Sequence, residues 1–463
     1  MNKEWIGIIL FLLVFFCIFL QKILPLSHKK INKKMRTFLL FTLFFSLAPI
    51  LCAQSIEKDI KRNPNLSAHT YLAYPNRDNI TYTEAPKGYF PFHIEHYGRH
   101  GSRWLTSAKQ YSQPVEALEK AEKYNLLTPI GKDALRRLKI LQQASHNREG
   151  ELTPLGAKQH HDIARRMTRN FPQVFADSAI VDARATIVIR CILSMTNACN
   201  ELNAFNPHIA ITTDASNADM YYMNFYDDFY KEQHDSARAY FQRLTGNDVK
   251  HDKFIGRLIS NKRFATDSID GRATMEHIFD LASNMQSHDF DFNLYDIFTQ
   301  DEIFALWNRW NKFWYLGYGN SAEYGYVHPY IQRNLLNNII ESADKAILSE
   351  RNGASLRFGH EICVLPLAVL MELGDCNKRA SSLKNLHKEW IAQNIFPMAS
   401  NIQIVFYRHH TTGHILVKAL LNEEEVSLPA NASQHPYYEW DELKNYYIQK
   451  LQEFSTNSIK KNH

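Results

Sequence analysis

Beyond residue 53 the sequence has no long hydrophobic run, although 45% of its 463 residues are hydrophobic. A transporter with several membrane spans is therefore excluded, because each span needs about 20 consecutive apolar residues. Glycine and proline are also scarce, with 17 and 16 residues, which excludes a collagen-like fibre and a low-complexity polymer. What remains is a chain long enough for one large domain or two of ordinary size.

An excess of charge of one sign is also absent once the N-terminal segment is set apart. The whole chain has 53 basic and 48 acidic side chains, of which seven basic and one acidic lie in residues 1–53. The remaining chain carries 46 basic and 47 acidic groups, a net charge of −1. Such a balanced chain offers no general case for nucleic-acid binding, and no nucleic-acid partner is predicted.

Residues 1–53 are predicted to be a leader, with two apolar stretches on either side of a basic loop at residues 27–36. Read from Met35, the second stretch has the order of a secretory signal, with a lipoprotein-type Cys52 as the alternative. The first stretch is either a membrane helix or the result of translation from Met1. Both alternatives predict an exported protein, periplasmic or extracellular, which contacts the membrane only through this leader.

Cysteine is scarce in the predicted exported body, which has four cysteines: Cys191, Cys199, Cys363 and Cys376. An exported protein can form disulfides, but spacing alone does not pair these residues. Cys191 and Cys199 lie eight residues apart on one predicted helix, and the rise of about 12 Å is too long for a direct disulfide. We expect all four to be core residues.

Hydrophobic periodicity predicts alternating strands and helices in the body. The predicted strands lie at residues 89–97, 179–183, 354–358, 402–407 and 414–421. The predicted helices lie at residues 153–169, 186–203, 327–348 and 362–373. Thr153 and Thr186 are the expected N-caps of the first two helices. Alternation along the first strand places Phe92 and Ile94 on the same face.

This order predicts an α/β fold, a three-layer sandwich with a mostly parallel central sheet and an inserted, mostly α-helical cap domain. The α/β domain is expected at residues 54–210 and 325–463. The cap is expected at residues 211–324, which are rich in aromatic residues and mostly helical in period. In such sheets ligands bind at the carboxyl ends of strands, and three polar clusters follow the predicted strands.

The first cluster, residues 98–104, has the sequence Gly-Arg-His-Gly-Ser-Arg-Trp and directly follows the first strand. The guanidinium groups of Arg99 and Arg103 flank the imidazole of His100 in a glycine-lined turn. Arginines bind a phosphate dianion through paired, charge-assisted hydrogen bonds. An imidazole held against the phosphorus can attack it and form a phosphohistidine. The cluster therefore predicts phosphoryl chemistry.

The run Arg-His-Gly-x-Arg resembles the signature of the histidine phosphatase superfamily. From about residue 89 to residue 447 the chain resembles the acid phosphatase/phytase branch, which includes the multiple inositol polyphosphate phosphatases. The resemblance implies that His100 is the nucleophile and that Arg99 and Arg103 bind phosphate. Trp104 stands where many acid phosphatases have proline, which changes the rim of the pocket and not the chemistry.

Two later clusters resemble the remaining blocks of that family. Arg190 lies near the positive end of the second helix and resembles a further phosphate-binding arginine. His360 and Glu361 follow a strand and resemble the His-Asp block, in which the histidine contacts phosphate and the acid protonates the leaving oxygen. Bound phosphate is expected to raise the pKa of Glu361. Some inositol polyphosphate phosphatases have His-Ala-Glu, with the acid where this chain has Ile362, so the substrate stays open.

Together the clusters predict an exported histidine acid phosphatase that hydrolyses a small-molecule phosphomonoester, with inositol polyphosphates such as phytate as one candidate class. No metal ion or cofactor is predicted, because guanidinium groups supply the positive charge and the adjacent histidine pairs lack partners at ligand spacing. Two alternatives stay open. One is an exported phosphate-ligand binding protein without turnover, and the other is a mutase that transfers the phosphoryl group to another hydroxyl.

Overall fold

A computed structural model describes residues 56–224, 228–246, 248–349 and 351–461. The predicted leader, residues 1–53, lies outside the described residues. Within the described part of the chain, no helix combines the length and the apolar character that a membrane span requires.

The described residues contain all the predicted helices and strands. They also contain helices at residues 108–122, 129–145 and 440–461 and a strand at residues 210–214 that the sequence analysis does not predict. The helices are α1 (Ile56–Arg62), α2 (Ala108–Glu122), α3 (Pro129–Ser145), α4 (Pro154–Asn170), α5 (Ile189–Phe205), α6 (Met220–Met223), α7 (Asp228–Thr245), α8 (His251–Leu258), α9 (Lys262–Ser268), α10 (Gly271–Asn284), α11 (Gln300–Tyr318), α12 (Arg333–Ser349), α13 (Glu361–Leu370) and α14 (Trp440–Lys461). The strands are β1 (Tyr89–Arg99), β2 (Ile180–Ala185), β3 (Ala210–Asp214), β4 (Gly353–Gly359), β5 (Asn401–His409), β6 (Ile415–Leu421), β7 (Glu424–Val426), β8 (Ala432–Gln434) and β9 (Tyr437–Glu439).

The strands form one sheet in the order β3-β2-β4-β1-β5-β6-β9-β8, with β7 paired to β6. Neighbours from β3 to β1 are parallel, whereas β1 with β5 and all later neighbours are antiparallel. The predicted α/β class is confirmed. The sheet is mixed and not mostly parallel, because β5 runs antiparallel to β1 and short hairpins, which can join only antiparallel strands, connect β5 to β6, β6 to β7 and β8 to β9.

Helices cover both faces of the sheet and make the predicted three layers. On one face, Leu336 of α12 and Val364 of α13 share a buried core with Ile404. On the other face, Met167 of α4 shares a buried core with Val405. Ile404 and Val405 are neighbours on β5, so their side chains point to opposite faces. The four cysteines of the body are buried, as expected, and none of them forms a disulfide: Cys191, Cys199, Cys363 and Cys376.

The two helices next to the site differ in how they begin. Thr153 caps α4 as predicted, since its hydroxyl oxygen accepts a hydrogen bond from the backbone N–H of Gly156. The prediction that Thr186 caps α5 is wrong, because α5 begins only at Ile189. The Thr186 hydroxyl instead lies 3.2 Å from Nε2 of His360. The Thr186 hydroxyl therefore contacts a residue that lies 174 positions later in the chain and does not cap the helix.

The helices α6 to α11 follow the first three strands, within the range 211–324 that is predicted for the cap. Phe254 of α8 shares a buried core with Leu118 of α2, so this helical segment packs on helices that precede it in the chain. β3 belongs to the sheet and extends to Asp214, past the predicted start of the cap. The chain from Ile56–His463 forms one compact unit.

Candidate active site

The C-terminal ends of β1 and β4 meet at the start of α13. The two strands are parallel neighbours, and Arg99 at the end of β1 is paired with Gly359 at the end of β4. His100 follows β1, and its backbone N–H donates a 2.9 Å hydrogen bond to the carbonyl of Gly359. His360 and Glu361 follow β4, and Glu361 is the first residue of α13. Parallel pairing therefore brings the first and third sequence clusters together.

Buried hydrogen bonds hold the loop after β1 against α4 and α5. The backbone N–H of Gly101 donates to Oγ of Ser194 at 3.2 Å, and that of Ser102 donates to Oε1 of Gln159 at 2.8 Å. The hydroxyl of Thr153 donates to the carbonyl of Ser102 at 3.0 Å. Because these groups are buried and paired, the loop has a defined conformation.

Glycine is required where this loop crosses the start of α4. A Cβ atom on Gly156 would overlap the carbonyl oxygen of Ser102, and a Cβ atom on Gly101 would overlap the backbone of Gly156. Backbone atoms cannot move aside as the end of a flexible side chain does. The two glycines therefore set the distance between the loop and α4.

Replacing Gly156 with alanine is expected to lower the free energy of unfolding by about 1–3 kcal/mol, because the buried loop must shift. Denaturant unfolding measures the change. Gly256→Ala in α8 is the matched control, since nothing lies within 4 Å of its added Cβ atom. The control is expected to be more stable than the unmodified protein by about 0.5–1 kcal/mol. A loss of stability of the same size in both variants would contradict the close-approach argument.

His100 is 1% exposed and has one nitrogen free for chemistry. Its Nδ1 lies 2.9 Å from the carbonyl oxygen of Gly101. A carbonyl only accepts, so we assign the proton to Nδ1 and the lone pair to Nε2. Nε2 is buried, has no hydrogen-bond partner among the described residues, and lies 3.8 Å from Oε2 of Glu361. Burial and three neighbouring arginines hold the pKa of His100 well below its usual value, so the imidazole is neutral.

Arg99 is the most deeply buried of these arginines, with no exposed surface. Its Nη1 donates to the carbonyl of Phe396 at 2.9 Å, and its Nη2 donates to the hydroxyl of Thr70 at 3.0 Å. Its Nε lies 3.0 Å from Oε2 of Glu361, which makes an ion pair. Burial lowers the pKa of Arg99 to about 10, and the guanidinium stays charged at neutral pH.

Arg103 and Arg190 complete the positive side of the site. Nη1 of Arg103 donates to the carbonyl of Trp104 at 2.9 Å, and its guanidinium lies over the ring of Tyr71, 5.5 Å from the centroid. Arg190 is the second residue of α5, and burial followed by the charge of Arg103 lowers its pKa. The Nε atoms of both arginines are buried and have no hydrogen-bond partner in the described part of the chain.

His360 lies beside His100, with 5.7 Å between the ring centroids. Thr186 and Cys191 contact its ring, the Thr186 hydroxyl at 3.2 Å from Nε2 and the Cys191 sulfur at 3.8 Å. Burial lowers the pKa of His360 to about 4; the charge of Glu361 opposes this shift and the nearby arginines add to it. His360 is therefore neutral at neutral pH.

Glu361 is an ionised carboxylate in the phosphate-free site. Burial raises its pKa, but the charges of Arg99 and Arg103 lower it more, and the result is a pKa of about 2. The sequence predicts that bound phosphate raises the pKa of Glu361. Without phosphate the shift is in the opposite direction. The reason is the ion pair with Arg99, which stabilises the charged form.

The three guanidinium groups make this site fit an oxyanion better than a metal ion. Ligand atoms of His100, His360 and Glu361 lie within 4.8 Å of one another, a spacing that could hold a metal ion. Three guanidinium groups beside them repel a cation and attract an anion. Three buried atoms of the site have no hydrogen-bond partner among the described residues, namely Nε of Arg103, Nε of Arg190 and Nε2 of His100.

The structure brings all six predicted site residues to one place: His100, Glu361, Arg99, Arg103, Arg190 and His360. Nothing in the sequence marks Thr70 and Phe396, although both hold Arg99. They lie nearly 330 residues apart, Thr70 in a three-residue 3-10 helix and Phe396 in a loop, where no periodicity or motif signals a contact. Gln159, which holds the loop after β1, is likewise unmarked among the polar residues of α4.

No family model and no curated protein sequence matches the chain. Among solved structures, it is similar to the multiple inositol polyphosphate phosphatase of Bifidobacterium longum in complex with inositol hexasulfate. The TM-score is 0.72 at 18% identity, over 82% of this chain and 97% of that chain. This chain has the histidine acid phosphatase fold.

Two further structures agree with this fold. The phosphate complex of the same Bifidobacterium longum enzyme has a TM-score of 0.68 at 19% identity, over 82% of this chain and 97% of that chain. The phytase from D. castellii has a TM-score of 0.61 at 14% identity, over 83% of this chain and 84% of that chain. The resemblance inferred from Arg-His-Gly-x-Arg is confirmed at the level of the fold.

Proposed function

We propose that this protein is an exported phosphomonoesterase that acts through a phosphohistidine at His100. The observation that carries the proposal is the buried, unprotonated Nε2 of His100, which lies among three guanidinium groups and has no partner among the described residues. The histidine acid phosphatase fold supports the same chemistry. Export is proposed from the leader sequence alone, residues 1–53.

In the first step, Nε2 of His100 attacks the phosphorus of the monoester. The N–P bond forms while the P–O bond to the alcohol breaks, and Glu361 gives its proton to the leaving oxygen. The three arginines and His360 hold the other phosphate oxygens. Because these groups are already in place, they stabilise the charge of the transition state without rearranging.

Glu361 must gain a proton before it can act as the acid. A phosphate dianion offsets the charges of Arg99 and Arg103 and repels the carboxylate, and both effects raise the pKa of Glu361 above the value of about 2 that it has without phosphate. Substrate binding therefore changes Glu361 from the ion-pair partner of Arg99 into a general acid.

In the second step, a water molecule attacks the phosphohistidine. Glu361, now ionised, takes a proton from that water, the N–P bond breaks, and inorganic phosphate is released. His100 returns to its neutral form with the lone pair on Nε2. The two steps are balanced in protons, so the cycle needs no other reactant than water.

Inositol polyphosphates are the substrate class that we propose first. The similar Bifidobacterium longum enzyme is a multiple inositol polyphosphate phosphatase, and its structure was solved with inositol hexasulfate. This chain has Glu361 directly after His360, with Ile362 behind it, and so departs from the His-Ala-Glu order of some inositol polyphosphate phosphatases. The substrate range is therefore tested with phytate and with simpler monoesters.

Phosphate release by the purified full-length protein tests the proposal, with p-nitrophenyl phosphate, glycerol phosphate and phytate as substrates. The expected result is free inorganic phosphate and a transient phosphoenzyme that is stable to alkali and labile to acid, as an N–P bond requires. Phosphate binding without release would support the binding-protein alternative. Phosphorus NMR that shows transfer to another hydroxyl without release would support the mutase alternative.

A further inference from the structure

A short buried segment before β1 contacts two of the three arginines of the site. This segment, His69–Tyr71, is a three-residue 3-10 helix, and all three of its residues are buried. The hydroxyl of Thr70 accepts the 3.0 Å hydrogen bond from Nη2 of Arg99. The ring of Tyr71 faces the guanidinium of Arg103. The position of the segment therefore sets the orientation of both guanidinium groups.

Arg99 depends on this segment when phosphate is bound. Without phosphate, its Nε is paired with Oε2 of Glu361 at 3.0 Å. In the proposed cycle Glu361 takes up a proton, so Arg99 loses this charged partner at the step in which it has to hold a phosphate oxygen. Its terminal nitrogens then remain bound to Thr70 and to the carbonyl of Phe396. A shift of residues 69–71 would move the guanidinium away from the phosphate.

The backbone of His69 has a conformation that its surroundings must impose. Its φ is 40°, in the left-handed region that residues other than glycine rarely adopt, because the Cβ atom is crowded there. The residue is 2% exposed, and its ring stacks on Trp310 of α11 at 4.9 Å and on Phe279 of α10 at 5.9 Å between centroids. A strained backbone persists where such contacts hold it, and it is frequent at functional sites. The side chain of His69 thus anchors the segment between α10 and α11.

Asp280 of α10 lies next to this anchor. Its Oδ1 is 3.6 Å from Nε2 of His69, and its Oδ2 accepts a 3.0 Å hydrogen bond from the side chain of Gln110. Burial lowers the pKa of His69 although the carboxylate opposes the shift, so the ring is neutral at neutral pH. A carboxylate only accepts, and we assign the ring proton to Nε2. Burial and the charge of Asp280 raise the pKa of Tyr71, so the same carboxylate acts on the ring that faces Arg103.

We propose that Asp280 and His69 are positioning residues for the arginines that bind phosphate. They fix residues 69–71 from α10, and this segment in turn orients Arg99 and Arg103. The inference rests on the proposed function, because it takes these arginines to hold the phosphate oxygens and Glu361 to release Arg99.

Binding of inorganic phosphate to Asp280→Asn, measured by calorimetry, tests the inference through the sign of the change. The carboxylate repels a phosphate dianion, so a role through charge alone predicts tighter binding once the charge is removed. A positioning role predicts the opposite, because the arginines lose their orientation, and phosphate is expected to bind about tenfold more weakly. Tighter or unchanged binding would overturn the inference.

His69→Phe keeps an aromatic ring in the stack and removes the N–H group that faces Asp280. It is expected to weaken phosphate binding about as much as Asp280→Asn. The double variant should bind no more weakly than either single variant, because both changes break the same contact. Losses that add up in the double variant would mean that the two residues act independently, and the proposed pairing would be wrong.

Kinetics with p-nitrophenyl phosphate and glycerol phosphate separate positioning from a loss of folded protein. For Asp280→Asn, KM is expected to rise and kcat to fall with both substrates, since the arginines contact the phosphoryl group that both share. A purely structural role would lower the apparent kcat and leave KM unchanged, and this result would overturn the inference. If the unmodified protein released no phosphate from any ester, the proposed function would fail, while phosphate binding would still decide the role of Asp280.

Glu95→Gln is the matched control, because Glu95 is also a buried acid beside a buried histidine, with its Oε1 2.8 Å from Nε2 of His93. Its charged partner is Arg357, which is not an arginine of the site. The control is expected to leave the phosphate affinity and KM unchanged. An equal loss in Glu95→Gln and Asp280→Asn would show that removal of any buried acid has this effect, which would overturn the inference.

Discussion

Replacing His100 with alanine is expected to lower the rate of phosphate release by at least about 10⁴-fold, because the step that breaks the P–O bond loses its nucleophile. No neighbouring group replaces it. The Cys191 thiol is the other potential nucleophile near His360, but burial raises its pKa to about 11, so it is uncharged at neutral pH. Steady-state release of p-nitrophenol and trapping of the phosphoenzyme measure the effect.

The same variant keeps the three arginines, and inorganic phosphate should therefore still bind to it. Calorimetry with phosphate shows whether the site has stayed intact. His208→Ala replaces an exposed histidine outside the site and is expected to keep full activity. Turnover by His100→Ala at more than a small fraction of the normal rate would mean that another residue, or water, attacks the phosphorus.

Replacing Glu361 with glutamine is expected to cause a loss that depends on the leaving group. Glutamine cannot give a proton to an alkoxide, so the rate with glycerol phosphate should fall by about 10²–10⁴-fold. A nitrophenolate leaves without a proton, and the first step with p-nitrophenyl phosphate should slow little. The second step still lacks its base, so the phosphohistidine is expected to accumulate.

Rapid mixing of Glu361→Gln with p-nitrophenyl phosphate should show this as a burst of p-nitrophenol followed by slow turnover. Glu341→Gln, which replaces an exposed acid on α12, is the matched control and should behave like the unmodified protein. The same loss with both substrates, and no burst, would be incompatible with Glu361 as acid and base. Because the variant also removes the partner of Arg99, inorganic phosphate should bind more tightly to it.

The location of the site could be predicted because its residues come directly after strands. His100 follows β1 and Glu361 follows β4, and parallel strands end at the same edge of a sheet. Arg190 is near the start of α5, which follows β2, the neighbour of β4 on the other side. These relations depend only on local periodicity and on the order of elements, which the sequence contains.

Details that depend on contacts between distant segments could not be predicted. Alternation along β1 predicts Phe92 and Ile94 on one face, but a register shift between Pro91 and His93 places them in opposite cores. A bulge of this kind is set by the pairing with β5, which lies about 300 residues later in the chain. The contact of Thr186 with His360 likewise depends on a segment that lies 174 residues later in the chain.

The sequence by itself determined the α/β class, the strands that end at the site and the six candidate site residues, because hydrophobic period and short motifs act within a few residues. Only the tertiary structure decided the chemical state of those residues. The neutral His100 and the ionised Glu361 result from burial and from arginines that three separate segments bring together. A pKa depends on every charge within a few ångströms, and that neighbourhood exists only after the chain has folded.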